Sequence, residues 1–174
     1  SMMILMPFLR RRLFEPLYFR MNNSPRLRYW KKLENTQYLS EKMLREIQLE
    51  RLKNILEYCY RNNCFYEKRF RDAGFKADQL KSIEDIKSLP ILTKQEIMKN
   101  TKRLISNGYS ADDLIKYKTG GSTGQPLDVY LTEEVSELRN ACGRRHFRWT
   151  GWEVGEPIAA IWGNPKYPAN IMDK

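Results

Sequence analysis

The chain has 174 residues, a formal net charge of +10, three cysteines and a single histidine. This length fits one domain or two small ones, and 41% hydrophobic with 30% charged residues excludes a disordered or collagen-like protein. Because the cysteine number is odd and no CxxC pair occurs, we expect a cytoplasmic protein without a disulfide framework. A single histidine, His146, predicts no zinc site, and we assign no metal ligand to the chain.

The N-terminal arm, residues 1–38, carries most of the excess positive charge. Residues 1–32 contain eight basic residues and one acidic residue, so +7 of the net charge of +10 lies there. The apolar residues of the arm precede its arginine run, which is the reverse of the order in a secretory signal. No apolar stretch approaches the roughly 20 residues that a transmembrane helix needs. The arm is therefore predicted to be a basic, amphipathic surface element.

Three interpretations of this arm stay open. It is a solvated basic segment, a surface that packs on the rest of the protein, or a peripheral membrane contact through residues 2–32. Packing is favoured over membrane contact because Pro7 and Pro16 should interrupt a long amphipathic helix. The alternative function that follows from the arm is a basic adaptor for membranes or nucleic acid. Of these two partners, we do not expect nucleic acid.

Residues 39–115 are predicted to form a helical N-terminal region. Apolar residues at spacings of three and four indicate a helix over residues 40–62, with Ser40 as its N-cap. A short second helix over residues 66–73 is predicted to stop at Gly74. The regularity of this pattern is typical of scaffold, and we assign it no chemistry.

Capping signals divide the end of this region into short pieces. Thr93 and Glu96 form the T-x-x-E pattern of a capping box, so a helix should begin between them. Ser82 with Asp85 is a weaker start signal of the same kind, and Ser110 should cap a short turn.

The remaining residues, 116–174, are predicted to be the start of an α/β core. Apolar patterning indicates one strand at residues 114–117 and another at 127–131. A long helix should follow from Thr132, and PIAAIWG at residues 157–163 is apolar on both faces, as in a buried parallel strand. The expected fold class is therefore α/β, with the first strands of a truncated core after a helix-rich region. The apolar side of the long helix is predicted to consist of Val135, Leu138, Cys142 and Phe147.

The loop between the two strands, TGGSTGQP at residues 119–126, is the strongest candidate binding site. Its glycines allow positive φ and bring backbone N–H groups together, and such nests bind anions. Its hydroxyl side chains add donors, and each hydrogen bond to a charged group contributes roughly 1.5–3 kcal/mol. The candidate phosphate-binding residues are Thr119, Gly120, Gly121, Ser122, Thr123 and Gly124.

Two other known loops fit this sequence less well. A Walker A loop requires a GK[ST] ending and a following helix, whereas a strand is predicted to follow here. Residues 121–124 spell GxxG, the clamp of a KH module, but that module places the loop between two helices. An ordinary glycine-rich hairpin turn stays open as the alternative.

The loop resembles the phosphate-binding loop of adenylate-forming enzymes, Ser/Thr-Ser-Gly-Thr-Thr-Gly-x-Pro. Gly120 stands where that family usually has Ser, and Gln125 where relatives often have Lys. Three further segments resemble the branch that contains phenylacetate–CoA ligase and its relatives in capsular polysaccharide biosynthesis. With the loop they cover about residues 55–163, and they read CYRNNCFYEKRFRDAGF, SIEDIKSLPILTKQEI and RRHFRWTGWEVGEPIAAIWG.

This resemblance implies an ATP- and Mg²⁺-dependent ligase that converts a carboxylate into an acyl-adenylate, releases pyrophosphate and often transfers the acyl group to coenzyme A. It implies that the loop holds the β- and γ-phosphates. The family's adenine-contacting, magnesium-binding and ribose-binding segments and its catalytic lysine lie further along than these residues. We therefore expect the N-terminal portion of a longer ligase, inactive by itself, with its catalytic residues unidentified. A non-catalytic interaction domain on the same scaffold is the remaining alternative.

Overall fold

A computed structural model describes residues 2–119 and 126–159, with side chains from Met6 onward. These residues form two units, one of residues 24–145 and one from the described parts of 1–23 and 146–174. They are rich in helix and contain one small two-stranded sheet, which agrees with the α/β class in its coarse form. The elements are α1 Met2–Leu9, α2 Glu15–Met21, α3 Arg26–Thr36, α4 Glu41–Asn62, α5 Cys64–Asp72, α6 Lys94–Asn100, β1 Ile115–Lys118, β2 Asp128–Leu131 and α7 Glu133–Trp149.

Local hydrogen bonds fix the ends of α4 and α5. Ser40 caps α4 as predicted, since its side chain accepts a hydrogen bond from the N–H of Met43 at 3.4 Å. Asn63 then leaves the helical conformation, with φ of −144°, and its side-chain oxygen caps α5. Because of this second cap, α5 begins at Cys64, earlier than predicted. Gly74, with φ of +63°, follows α5 and supplies the left-handed residue that the sequence predicted.

The core of the unit 24–145 lies between α4, α5 and the short 3₁₀ segments that follow them. Leu56, Phe70 and Leu80 are buried there and form one apolar cluster. The rings of Phe70 and Phe75 meet edge to face with centroids 5.3 Å apart, an arrangement that aromatic pairs favour. The residues packed around this cluster are Leu49, Leu52, Cys59, Tyr66, Phe75, Ala77 and Leu89.

Capping boxes begin three short helices after this core. In each box the acidic side chain accepts a hydrogen bond from the N–H of the cap residue, and at α6 the Thr93 hydroxyl also accepts one from the N–H of Glu96 at 3.2 Å. The Thr93–Glu96 box at α6 was predicted in full, and the other two were predicted only as weaker signals. The boxes are Ser82–Asp85, Thr93–Glu96 and Ser110–Asp113.

An ion pair joins α3 to α7 within the unit 24–145. The guanidinium of Arg26 donates to both carboxylate oxygens of Glu137, at 2.9 and 2.7 Å, and Ser24 donates its hydroxyl at 2.6 Å. The Glu137 side chain is 14% exposed. These bonds, that from Arg26 above all, hold the pKa of Glu137 below its ordinary value.

The long helix α7 forms as predicted, but its predicted apolar side is not the buried one. Ser136 and Ala141 are buried, whereas Val135, Leu138 and Phe147 are each 39% exposed or more. Small side chains allow close approach of a neighbouring element, and hydropathy alone ranks them below the larger residues. On the side that was predicted to be apolar, Val135, Leu138 and Phe147 are therefore exposed, whereas Cys142 is half-buried.

The N-terminal arm is helical through both of its prolines. Residues Arg10–Phe14 form a π-helical turn between α1 and α2, and the N–H of Glu15 donates to the carbonyl of Arg10. Pro16 lies in the first turn of α2, where its missing N–H costs little. The expectation that Pro7 and Pro16 interrupt the helix was therefore wrong.

The segment after α7 packs on this arm in the second unit. Val154 is buried, and Glu153 contacts Arg11 at 3.0 Å and Arg148 at 2.6 Å. Hydrogen bonds, chiefly from Arg148, hold the pKa of Glu153 below its ordinary value. Gly155, with φ of +98°, lies so close to Pro7 that a Cβ would fall 2.7 Å from its backbone.

The segment predicted as a buried strand differs from that expectation in its described part. Residues 157–159 are in no strand, and Ile158 is 41% exposed. A strand needs a hydrogen-bonded neighbour, and in the described residues the sheet consists of β1 and β2. Residues 160–163 lie outside the described residues. Among the helices described, none combines the length and apolarity required to cross a bilayer.

Candidate phosphate-binding loop

An antiparallel hairpin carries the candidate loop. β1 and β2 pair in the register Ile115 with Leu131 through Lys118 with Asp128. One step further, the N–H of Thr119 donates to the carbonyl of Leu127 at 2.9 Å. The strand β2 therefore follows the loop, as predicted, where a Walker A motif would place a helix.

Thr119 closes the base of the loop with its side chain as well. Its Oγ1 accepts a hydrogen bond from the N–H of Leu127 at 2.9 Å, and the residue is exposed. A threonine hydroxyl accepts and donates at once, so this bond leaves the hydroxyl proton available to an anion. Thr119 thus combines a structural role with its predicted donor role.

The other predicted phosphate-binding residues lie outside the described residues, and their role stays a prediction. The residues concerned are Gly120, Gly121, Ser122, Thr123 and Gly124.

Two lysines supply positive charge at the base of the loop. Lys116 and Lys118 lie two apart on β1 and therefore share one face of the hairpin. Lys116 bonds Asp128 at 2.8 Å, and this contact lowers the pKa of Asp128 and raises that of Lys116. Lys118 is exposed and has no ion-pair partner among the described residues.

Lys118 is the residue that analysis of the sequence missed. The loop contains no lysine, so the sequence predicted that amides and hydroxyls would provide most of the phosphate contacts, with magnesium neutralising the remaining charge. The alternation of side chains along a strand was the available signal, since it places Lys118 beside the loop.

A cavity of about 470 Å³ lies next to the same hairpin, within the unit 24–145. Its walls come from β2, α6 and the connection from α6 to β1, with single residues of α4, α5 and α7, and they are mainly apolar and aromatic. Tyr66, Ile97, Tyr109 and Val129 are among the lining residues. A concave apolar site of this size suits a small apolar group better than a phosphate.

Metal binding has no evident ligand set in the part of the chain that the structure describes. No group of three or more histidine, cysteine or acidic residues is close enough there to hold an ion. The acidic residues near the loop instead pair with lysine, as Asp128 does.

The chain is similar in sequence to curated ligases. It is 27% identical over 121 residues to the phenylacetate-coenzyme A ligase of Pseudomonas putida, and 28% identical over 131 residues to that of Aromatoleum evansii. These matches cover 69% and 75% of this chain, but 27% and 30% of the ligases. Protein CapK of Staphylococcus aureus is 31% identical over 85 residues, which are 49% of this chain and 18% of CapK.

The chain therefore spans less than a third of the length of the curated relatives that it matches. No protein-family model matches it. Because several of these relatives are named as ligases, they support the general conclusion that this chain belongs to an enzyme. The resemblance identified from the loop and its flanking segments is confirmed: the chain is related in sequence to phenylacetate-coenzyme A ligases and to CapK.

Proposed function

We propose that this chain is the N-terminal portion of an ATP-dependent ligase that activates a carboxylate as an acyl-adenylate. The relatives named phenylacetate-coenzyme A ligase support coenzyme A as the acyl acceptor. The observation that carries the proposal is the hairpin, whose bonded base at Thr119 and Leu127 holds a loop of the predicted phosphate-binding sequence. Because the proposed reaction uses ATP, coenzyme A and a carboxylate substrate, we propose that the protein is located in the cytoplasm.

In this proposal the loop holds the β- and γ-phosphates of ATP while a substrate carboxylate oxygen attacks the α-phosphorus. Pyrophosphate leaves, and a thiol then displaces AMP from the acyl carbonyl. The hydroxyl of Thr119 and the residues 121–124 donate hydrogen bonds, and Lys118 adds positive charge. Mg²⁺ supplies further neutralisation of the phosphates when it is bound.

Hydrogen bonds of this kind are strong enough for the task. Each bond to a charged group contributes roughly 1.5–3 kcal/mol, so three such bonds exceed the ~4 kcal/mol of millimolar binding before the entropy cost of binding is subtracted. The missing hydroxyl at Gly120 and the missing charge at Gln125 weaken the loop relative to the family pattern. Lys118 offsets the second of these losses.

The capsular polysaccharide branch is a finer proposal within the same chemistry. CapK supports it, because CapK reaches 31% identity over its matched stretch. Its carboxylate substrate then differs from phenylacetate, although the phosphate-binding step is the same. Pyrophosphate release measured against a panel of carboxylates separates the two, since only an arylacetate-specific enzyme responds to phenylacetate alone.

The test uses the longer protein that contains this chain. Gly124→Asp places a negative charge in the loop and should lower carboxylate-dependent pyrophosphate release from ATP by about a hundredfold. Asn107→Asp adds the same charge at an exposed position outside the loop and should leave the rate unchanged. Equal rates for the two variants would contradict the proposal.

A non-catalytic domain on the ligase scaffold is separated by the same measurements. It predicts no pyrophosphate release from the wild-type longer protein with any carboxylate. Titration of that protein with ATP and Mg²⁺ then shows whether nucleotide binding survives without chemistry.

A further inference from the structure

The helical arm presents an exposed apolar stripe, defined by Leu13, Phe14, Leu17, Tyr18 and Met21. Each of these side chains is more than half exposed. Residues four apart lie on one side of a helix, so both Leu13–Leu17–Met21 and Phe14–Tyr18 run along the same face. A contiguous apolar surface of this kind marks an interaction site.

The opposite side of the same helical run is the one that packs inside the unit. Phe19 is buried, and the Glu15 side chain is only 14% exposed. Arg11 also lies on that side, where it contacts Glu153 at 3.0 Å. The stripe is therefore not the side that the second unit uses for its own packing.

Arginines border the apolar stripe. Arg10 has a side chain that is 63% exposed, and Arg12 and Arg20 are exposed and have no ion-pair partner among the described residues. Glu15, the one acidic residue of residues 1–32, has a side chain that is 14% exposed and pairs with Arg10 at 3.5 Å. The exposed surface of this helical run thus combines apolar side chains with positive charge at Arg12 and Arg20 that is unpaired in the described part of the chain.

We propose that this stripe binds an anionic membrane surface, with the helix lying in the plane of the interface. Apolar and aromatic side chains insert at the boundary of the headgroups and acyl chains, while arginines contact anionic headgroups. The π-helical turn supports this arrangement, because it carries the helix through Arg10–Phe14 and turns Arg11 toward Glu153. The charge pattern favours lipid over an apolar protein surface.

The experiment measures co-sedimentation of the 174-residue chain with vesicles. Phosphatidylcholine vesicles that contain phosphatidylglycerol should bind it, vesicles of phosphatidylcholine alone should bind it far less, and added salt should weaken binding. Arg12→Gln/Arg20→Gln should reduce partitioning about thirtyfold, or about fivefold per arginine. Leu17→Gln/Tyr18→Gln should reduce it about tenfold.

The matched control is Arg51→Gln/Lys99→Gln. It removes the same charge from exposed positions of the unit 24–145 and should retain the binding. All substituted side chains are exposed, and an unchanged circular dichroism spectrum verifies folding. Hydrogen exchange gives a second readout, with amides of residues 13–21 slowed only by anionic vesicles.

Three results would overturn this proposal. An equal loss of vesicle binding in the control and in the arginine variant of the arm would show that binding depends only on net charge. Binding to an oligonucleotide with none to vesicles would assign the arm to nucleic acid. A dimer that Leu17→Gln/Tyr18→Gln converts to monomer, without vesicle binding, would assign the stripe to a second copy of the chain.

Discussion

Two helical regions of this molecule contain similar apolar patterns and use them differently. In α4 and α5 the pattern places Leu56 and Phe70 in a buried cluster, whereas in the arm it leaves Phe14 and Leu17 more than half exposed. Both regions also contain many arginines. The difference teaches that an apolar helical stripe identifies a surface that will be covered, but not by what. The neighbouring elements decide whether the cover is the protein's own core.

The largest effect on stability should come from replacing a phenylalanine by alanine in each of the two regions. Phe70→Ala should lower the free energy of unfolding by about 3–5 kcal/mol, because it opens a cavity in the buried cluster. Phe14→Ala removes the same atoms from an exposed site and should change stability by less than about 0.5 kcal/mol. Urea denaturation of both variants measures the contrast, and similar values would abolish the distinction between the regions.

A smaller loss should follow from neutralising the ion pair between α3 and α7. Glu137→Gln keeps the shape but weakens the bonds from Arg26 and Ser24, so we expect a loss of about 1.5–3 kcal/mol. Glu133→Gln, at an exposed position of the same helix, is the control and should be nearly neutral. Thermal unfolding of the two variants compares them.

The capping box of α6 should make a contribution that depends on pH. Hydrogen bonds from the N–H and hydroxyl of Thr93, with help from Arg69, lower the pKa of Glu96 from 4.5 to about 2. A depressed pKa means that its stabilisation is complete above about pH 4.5 and disappears as the pH falls toward 2. The difference in unfolding free energy between wild type and Glu96→Gln, measured against pH, should shrink over that window. A constant difference would contradict the prediction.

The hydroxyl side of the same box should be measurable at neutral pH. Thr93→Ala should cost about 1 kcal/mol, the usual value for a lost N-cap. The control is Gln95→Ala, at an exposed position in the first turn of α6. It should be neutral or slightly stabilising.

The smallest effects should come from substituting two glycines, of which one has a positive φ and the other lies inside a helix. Gly143 lies inside α7 with open space at its Cβ position, so Gly143→Ala should stabilise by about 0.5–1 kcal/mol. Gly151 follows the end of α7 with φ of +88°, so Gly151→Ala should destabilise by about 1 kcal/mol. Chemical denaturation should give changes of opposite sign, and equal signs would contradict this reading of the helix end.

Features that depend on a few consecutive residues were predicted well from the sequence. The Ser40 cap, the Thr93–Glu96 box and the left-handed residue at Gly74 each involve hydrogen bonds or dihedral angles within one turn. Such local chemistry is determined by residue type and spacing alone. The hairpin was predicted for the same reason, since alternation and glycine are local signals.

Features that depend on distant neighbours were not predicted. Ser136 and Ala141 are buried in α7 whereas Val135 is exposed, and burial depends on the elements that pack on a helix rather than on hydropathy alone. The continuity of the arm depends on a π-helical turn, which propensity does not indicate.

The candidate site falls between these two cases. The sequence singled out the loop by its residue types, and Thr119 is exposed, as its predicted role requires. The second role of Thr119, closing the hairpin onto Leu127, needed the strand register. Lys118, in contrast, could have been recognised from the alternation along β1 immediately before the loop.

The closed base of the hairpin makes the loop an exchangeable module. Two hydrogen bonds between Thr119 and Leu127 extend the ladder and support the strand register at the base of the loop. Segments of altered length or composition grafted between these two residues should leave the strands aligned. Loops from related ligases can therefore be grafted onto this hairpin, and their affinities for nucleotides can be compared within one scaffold.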